Sequence, residues 1–309
     1  MIVPENALFA LAAAASWGGG DFSGGMGVKA AGGTAAGALR FVIVAHAVSL
    51  AVLTLICILD GSTWPHGPAM IWALAAGAAV GISLTAFYVS LARGAMGVSA
   101  AVSGVLAAAI PAAVSTVLEG APGMLRLAGF ALALAAIWVI AAGNSPENAN
   151  GDKSRANHNM GLAIVGGLGF GFYFVALRMA NGLGIFEPIA LARAASLVMC
   201  LVLLAVVSWR GRSSPSLPPS ENPDVGHPVR WLSGTAFSWA MGVALLDTGG
   251  NLLLIAATLT GRLDEAAVLS SLYSAVTILL AAWRLHERPT KRQWAGMVAA
   301  LAAVVMITA

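Results

Sequence analysis

Residues 17–25 read WGGGDFSGG, between ALFALAAAAS at 7–16 and MGV at 26–28, and the fold turns on what an aspartate and five glycines do inside that apolar run. A charged side chain at the centre of a membrane helix costs about 2.5–3.5 kcal/mol on insertion scales. Each glycine in a helix interior costs about 1 kcal/mol relative to alanine. The stretch must therefore serve close helix packing, a polar cavity, or both.

The surrounding chain makes a membrane helix the natural setting. Of 309 residues, 59% are hydrophobic and 9% charged, and the mean hydropathy is +0.86, well outside the soluble range. Apolar runs long enough to cross a hydrocarbon core of ~30 Å recur with short polar breaks. Ten spans are expected, at about 6–28, 35–58, 69–91, 96–118, 123–143, 160–181, 187–208, 232–258, 266–284 and 290–309. The first lacks a basic leading segment and a cleavage-like end, so it is expected to be a span and not a removable signal. Trp64, Trp72, Trp209, Trp231 and Trp294 fall near span ends, where amphipathic rings favour the interface. Cys57 and Cys200 lie inside spans without metal-ligand spacing and read as small core filler.

A net charge of +3 spread over loops gives no basic patch, and nucleic acid is not expected as a partner. Twelve basic residues fall in or beside odd-numbered connections against four beside even ones, which places odd connections in the cytoplasm and both termini outside. The two longest polar stretches, NSPENANGDKSRANH at 144–158 and RGRSSPSLPPSENPDVGHP at 210–228, read as loops. The first divides five spans from five.

A shift of 167 residues aligns Gly94 with Gly261, Ser103 with Ser270, Pro122 with Pro289 and Gly129 with Gly296, and lays ALAA at 133–136 on ALAA at 300–303. Residues 94–142 give 14 identities under this shift, and composition alone does not align the glycines and prolines. The expected fold is all-α: ten transmembrane helices in two five-helix repeats, 1–143 and 159–309, joined by a loop at 144–158. An odd number of spans per repeat inverts the second copy, an arrangement found in secondary transporters with a midplane site.

WGGGDFSGG in the first span, LARGAMGVSAAVSGVLAAAIPA at 91–112, LLDTGGNLLLIAATLTG at 245–261 and AAVLSSLYSAVTILLAAWRLHERPTKRQWAG at 266–296 together resemble the EamA-like family of the drug/metabolite transporter superfamily. The resemblance spans essentially the whole chain. It implies a ten-helix carrier of small metabolites, amino acids or toxic compounds, commonly outward, in a bacterial cytoplasmic membrane. Two departures stand out: the usual ninth-span proline is missing near Ala275, and EGAPGMLR at 119–126 lacks the basic cluster of its counterpart HERPTKR. The termini of such carriers are often cytoplasmic, opposite to the charge count.

Asp21 and Asp247 are the two acidic residues expected well inside spans. Each must line a cavity or have a partner. Asn251 follows Asp247 by four residues and shares its helix face, and Gly249 and Gly250 between them allow close approach or a local break. Arg40 and Arg193, early in the second and seventh spans, are candidate counter-ions for the aspartates or for an anionic substrate group, with snorkelling to the headgroups as the alternative. His46 can titrate near neutrality or pack with a hydrogen bond. Trp17 lies one turn before Asp21 and can wall the same cavity, and Tyr88 needs a partner for its hydroxyl. The expected cavity lies among the first, second, third, sixth, seventh and eighth spans, with a small molecule as its occupant and protons as the candidate coupling ion. Arginines beside aspartates would suit a zwitterion.

Gly18, Gly20 and Asp21 also spell the G-x-G-D of intramembrane aspartyl proteases, but a Tyr-Asp motif ahead of it and a later Pro-Ala-Leu are missing. Neither a GxxxxGK[ST] phosphate loop nor an HExxH metal site occurs, so no cofactor, no metal and no enzyme activity is expected. A channel or scaffold is the remaining rival.

Overall fold

The computed structural model describes residues 4–62, 67–94, 96–141, 153–180, 184–213, 231–285 and 290–308. The described residues form eleven helices and no strand: α1 Glu5–Ala30, α2 Ala35–Leu59, α3 Pro68–Arg93, α4 Met96–Glu119, α5 Met124–Ala141, α6 Lys153–Ala180, α7 Phe186–Ser213, α8 Gly234–Thr260, α9 Leu263–Ser270, α10 Tyr273–Leu285 and α11 Lys291–Thr308.

Local chemistry sets their ends. Glu5 in the first turn of α1 and Lys29 in its last turn complement the helix dipole. Gly32 and Gly33 then reverse the chain with φ of 89° and 63°, a region glycine enters without penalty. Thr34 caps α2 by accepting from the Gly37 N–H at 3.0 Å, and Ser233 caps α8 by accepting from the Ala236 N–H at 3.1 Å. Pro68 opens α3, where its missing N–H costs nothing.

Among the described residues, seven segments are long and apolar enough to cross a bilayer: α2, α3, α4, α6, α7, α8 and the stretch Leu263–Leu285 formed by α9 and α10. The expected ten is therefore met by seven. Helix α1 has the length, at 26 residues, but its glycines and Asp21 make it less apolar. Helices α5 and α11, at 18 residues each, lie at the short end of spanning length.

Other boundaries shift as well. Helix α6 begins at Lys153, inside the stretch expected to be loop, and α7 continues through Arg210 to Ser213. Residues 142–152 and 214–230, which carry most of the two polar stretches, lie outside the described residues, as do Trp64 and Pro289. The Asp/Gly-rich stretches do not break their helices: α1 and α8 run continuously through Asp21 and Asp247. The break falls in the ninth span, at Ser271 and Leu272 between α9 and α10. That span also starts three residues earlier than expected, drawing Asp264 and Glu265 into helix and into the interior.

Packing explains the glycines. A Cβ on Gly24 would meet the Tyr88 ring at 2.5 Å, and one on Gly250 would meet the Trp17 ring at 2.6 Å. A Cβ on Gly18 would collide with Val276 of α10. In lipid, where apolar burial does not drive helices together, such small residues let backbones and rings approach. Helix α1 packs chiefly on α8, α3 on α6 and α7, α2 on α7, and α5 on α11. Outside, Leu55, Ile58, Val198, Val202 and Leu245 stand exposed, an apolar surface that a bilayer covers. Trp72, Trp209, Trp231 and Trp294 are exposed near helix ends, as interfacial anchors require.

Candidate functional site

Arg193 lies in the second turn of α7, within LARAAS, and is fully buried. Its small neighbours permit this: a Cβ on Gly77 of α3 would strike the Ala192 backbone, so α3 and α7 lie in direct backbone contact here. Burying a guanidinium requires a partner for its charge and for its donors. Nη2 donates to Asp247 Oδ2. Nη1 lies 3.0 Å from His46 Nε2, and Nε donates to Ser49 Oγ at 3.1 Å. All three nitrogens are engaged.

The pairing fixes the state of His46. A guanidinium has no acceptor, so His46 Nε2 must accept from it and carry no proton. The ring proton then sits on Nδ1, which lies 2.7 Å from Ser196 Oγ. His46 is therefore a neutral imidazole here, relaying order from α2 to α7. Ser49 Oγ in turn lies 2.5 Å from Thr248 Oγ1, tying α2 to α8.

Asp247 is held on its other side too. Asn251 Nδ2 reaches Asp247 Oδ1 at 3.2 Å, and Asn251 Oδ1 accepts from the Tyr173 hydroxyl of α6 at 2.7 Å. Four helices thus meet in one polar network: α2, α6, α7 and α8.

Beside this network is a small cavity with an enclosed volume of about 30 Å³. Trp17 and Asp21 of α1 and Val80 and Leu84 of α3 are part of its lining. Phe170, Tyr173 and Phe174 of α6, Asp247 and Asn251 of α8, and Tyr273 at the start of α10 complete it. Trp17 stacks on Phe174 with ring centroids 5.1 Å apart and 12° between planes, and meets Tyr273 edge-on at 6.5 Å. Asp21 is 7% exposed. Its carboxylate makes no hydrogen bond among the described residues, in contrast to Asp247.

Most of the sequence-expected site residues converge here. Trp17, Asp21, Asp247 and Asn251 line the cavity. Arg193 and His46 stand one layer behind it, so α2 and α7 support the wall instead of forming it, and α10 takes a place not anticipated. Arg40 is half-buried near the start of α2, outside the cluster. Tyr88 is buried between α1 and α2, edge-on to Phe41 at 6.1 Å, and does not line the cavity.

A second charged cluster escaped the sequence reading. At the α1 start, Asn6 Nδ2 donates to Glu265 Oε2 at 2.7 Å, and Arg126 Nη1 of α5 donates to Glu265 Oε1. Arg262 Nη2 bonds the Gly120 carbonyl at 2.8 Å and Asp264 Oδ2 at 3.0 Å. The available signal was Asp264-Glu265 directly ahead of an apolar run, acids suited to a helix start. The opposite end is tied by neutral acceptors and hydroxyls: Arg93 Nε donates to the Gly33 carbonyl at 2.6 Å, and Ser90 Oγ donates to the Asn159 carbonyl at 2.9 Å.

Residues 159–309 match the model of the EamA-like transporter family. No curated protein matches the chain. Among solved structures, one crystal structure is 14% identical, covers 98% of this chain and 96% of its own, and superposes with a TM-score of 0.69. That likeness establishes a shared fold. The second half, residues 159–309, is thus an EamA-like transporter segment, of a family within the drug/metabolite transporter superfamily.

Proposed function

We propose that this membrane transporter of the drug/metabolite type works by alternating access and exports a small organic metabolite across a bacterial cytoplasmic membrane. The observation that carries the reading is the cavity itself: residues from both halves wall it, and it holds a carboxyl, Asp21, without a hydrogen-bond partner among the described residues. A site between two halves can change sides when they rock against each other.

An inverted repeat of ten spans, divided at 143 and 159, supports the rocking. The 167-residue shift carries the start of α4, Met96, onto the start of α9, Leu263, and the start of α5, Met124, onto that of α11, Lys291. The helix pairings are nearly unchanged by exchanging the halves: α1 with α8 mirrors α6 with α3, α4 with α6 mirrors α10 with α1, and α2 with α7 and α5 with α11 each map onto themselves. The corners correspond too, since Asn6 packs on Gly261 and Asn159 lies against Gly94. The broken ninth span, which places Tyr273 in the cavity wall, fits the discontinuous helices that line transporter sites.

In this reading the Glu265 cluster and the Ser90–Asn159 contacts are the two gates, and Asp21 meets the cargo and any coupled proton. Arg193 and Asp247 hold the wall together. A protease dyad needs two carboxylates free to share a proton, whereas Asp247 has Oδ2 on Arg193 and Oδ1 on Asn251. Comparing the medium of overexpressing and deletion strains would supply candidate cargo for counterflow in proteoliposomes. Saturable counterflow, lost in Asp21→Asn, is expected. Ion-like conductance without saturation would overturn the carrier reading.

A further inference from the structure

We infer that the cavity takes a small organic amine, its ammonium at Asp21 and its apolar body against Trp17 and Phe174, and that it discriminates against the corresponding amino acid.

Charge composition carries the first half of this inference. Among the described residues the cavity is lined by two carboxylates and by no Lys, Arg or His. Asp247 is neutralised by Arg193 behind it, and His46 is uncharged because it accepts from Arg193. Asp21 is left as the lining carboxyl that has neither a counter-ion nor a hydrogen bond among the described residues, 7% exposed and at the cavity wall. A carboxylate that is nine-tenths buried and lacks a partner favours an occupant that brings a positive charge and N–H donors. The aromatic lining favours the same class, because ring faces attract cations and the apolar body packs on them.

The second half comes from what Arg193 cannot do. An amino acid would need a cation for its carboxylate, and Arg193 is the nearest one in the network. It is fully buried, does not line the cavity, and has Nε, Nη1 and Nη2 committed to Ser49, His46 and Asp247. Admitting a third carboxylate beside Asp21 and Asp247 would bury it with no lining cation among the described residues to pair it. A zwitterion is therefore excluded where the simple amine is accepted. The enclosed volume of about 30 Å³ has room for a group the size of water or an ammonium, so the amine head fits at Asp21 as the cavity stands and a one-ring body requires the walls to part.

The inference rests on the cavity being the transit site, and equilibrium binding separates the two. The full chain in nanodiscs of zwitterionic lipid would be titrated calorimetrically with phenethylamine, phenylalanine and 2-phenylethanol. Saturable amine binding is expected, with phenylalanine and the neutral alcohol at least about tenfold weaker, a difference of ~1.4 kcal/mol. Asp21→Asn should lose at least about tenfold in amine affinity, and Asp21→Glu should keep most of it. If Asp21→Asn does not fold, the wild-type comparison of amine with alcohol still decides. Phenylalanine or the alcohol binding as tightly as the amine, undiminished amine affinity in Asp21→Asn, or no saturable amine binding would each overturn the inference. Amine binding without flux in proteoliposomes would instead leave the site intact and remove the transport reading.

Discussion

Arg193 on α7 and Asp247 on α8 form a buried ion pair behind the cavity, with the guanidinium side chain at 0% and the carboxylate side chain at 12% exposure. The pair neutralises one of two carboxylates in the same site and leaves the other, Asp21, without a counter-ion at the cavity wall. Two aspartates of similar sequence setting thereby acquire different tasks.

Removing one partner of that pair should be worse than removing both. Arg193→Leu strands a buried carboxylate, a loss of about 3–5 kcal/mol, while Arg193→Leu with Asp247→Leu should recover much of it. Cys57 and Cys200 are both free and buried, so the onset of their labelling by a thiol dye on heating reports unfolding. A double variant no more stable than the single would contradict the pairing.

Nitrogen-15 NMR of histidine-labelled protein, with His46→Phe to assign the signal, should show a protonated Nδ1 and a bare Nε2 at neutral pH. The Ser196→Ala change removes the acceptor 2.7 Å from Nδ1, and an unsatisfied buried donor costs about 1–3 kcal/mol. An N–H signal from Nε2 would mean that Arg193 does not donate to it.

Adjacent glycines in α8 should respond oppositely to alanine. A Cβ on Gly250 lands 2.6 Å from the Trp17 ring, whereas one on Gly249 meets nothing within 4 Å. Gly250→Ala should cost about 1–3 kcal/mol through overpacking and should perturb the cavity by moving Trp17. Gly249→Ala should be neutral or stabilising by up to about 1 kcal/mol. Equal thermal shifts for the two would refute the close approach of Trp17 to α8.

The Glu265 cluster makes its end of the bundle dependent on charge. With Arg126 at 39% side-chain exposure, solvent screening limits that pair to about 1 kcal/mol. Glu265→Gln should raise the open population about fivefold on that basis. A Val80→Cys reporter in a background with Cys57 and Cys200 replaced by alanine should then react correspondingly faster with an impermeant thiol reagent applied from that side. An unchanged rate would remove this cluster from gating.

The linear sequence determined the class of molecule and pointed to its centre. Apolar runs of membrane length dictate helices because lipid offers no partner for backbone groups, and a carboxylate in such a run is costly enough to mark Asp21 and Asp247 without any structure. The helical period placed Asn251 on the Asp247 face and Trp17 on the Asp21 face. Tertiary structure decided which charges meet. Arg40 and Arg193 look equivalent in sequence, yet only Arg193 lies where α7 crosses α8 closely enough to reach Asp247, since pairing depends on distances between helices that periodicity within one helix does not encode. The same holds for Glu265, drawn inside by Asn6 and Arg126 from helices more than a hundred residues away. WGGGDFSGG itself was legible as a demand for close packing beside a polar site. Its partners, Tyr88 on α3, Val276 on α10 and the Leu246–Asp247 turn of α8, appear only once the chain has folded around it.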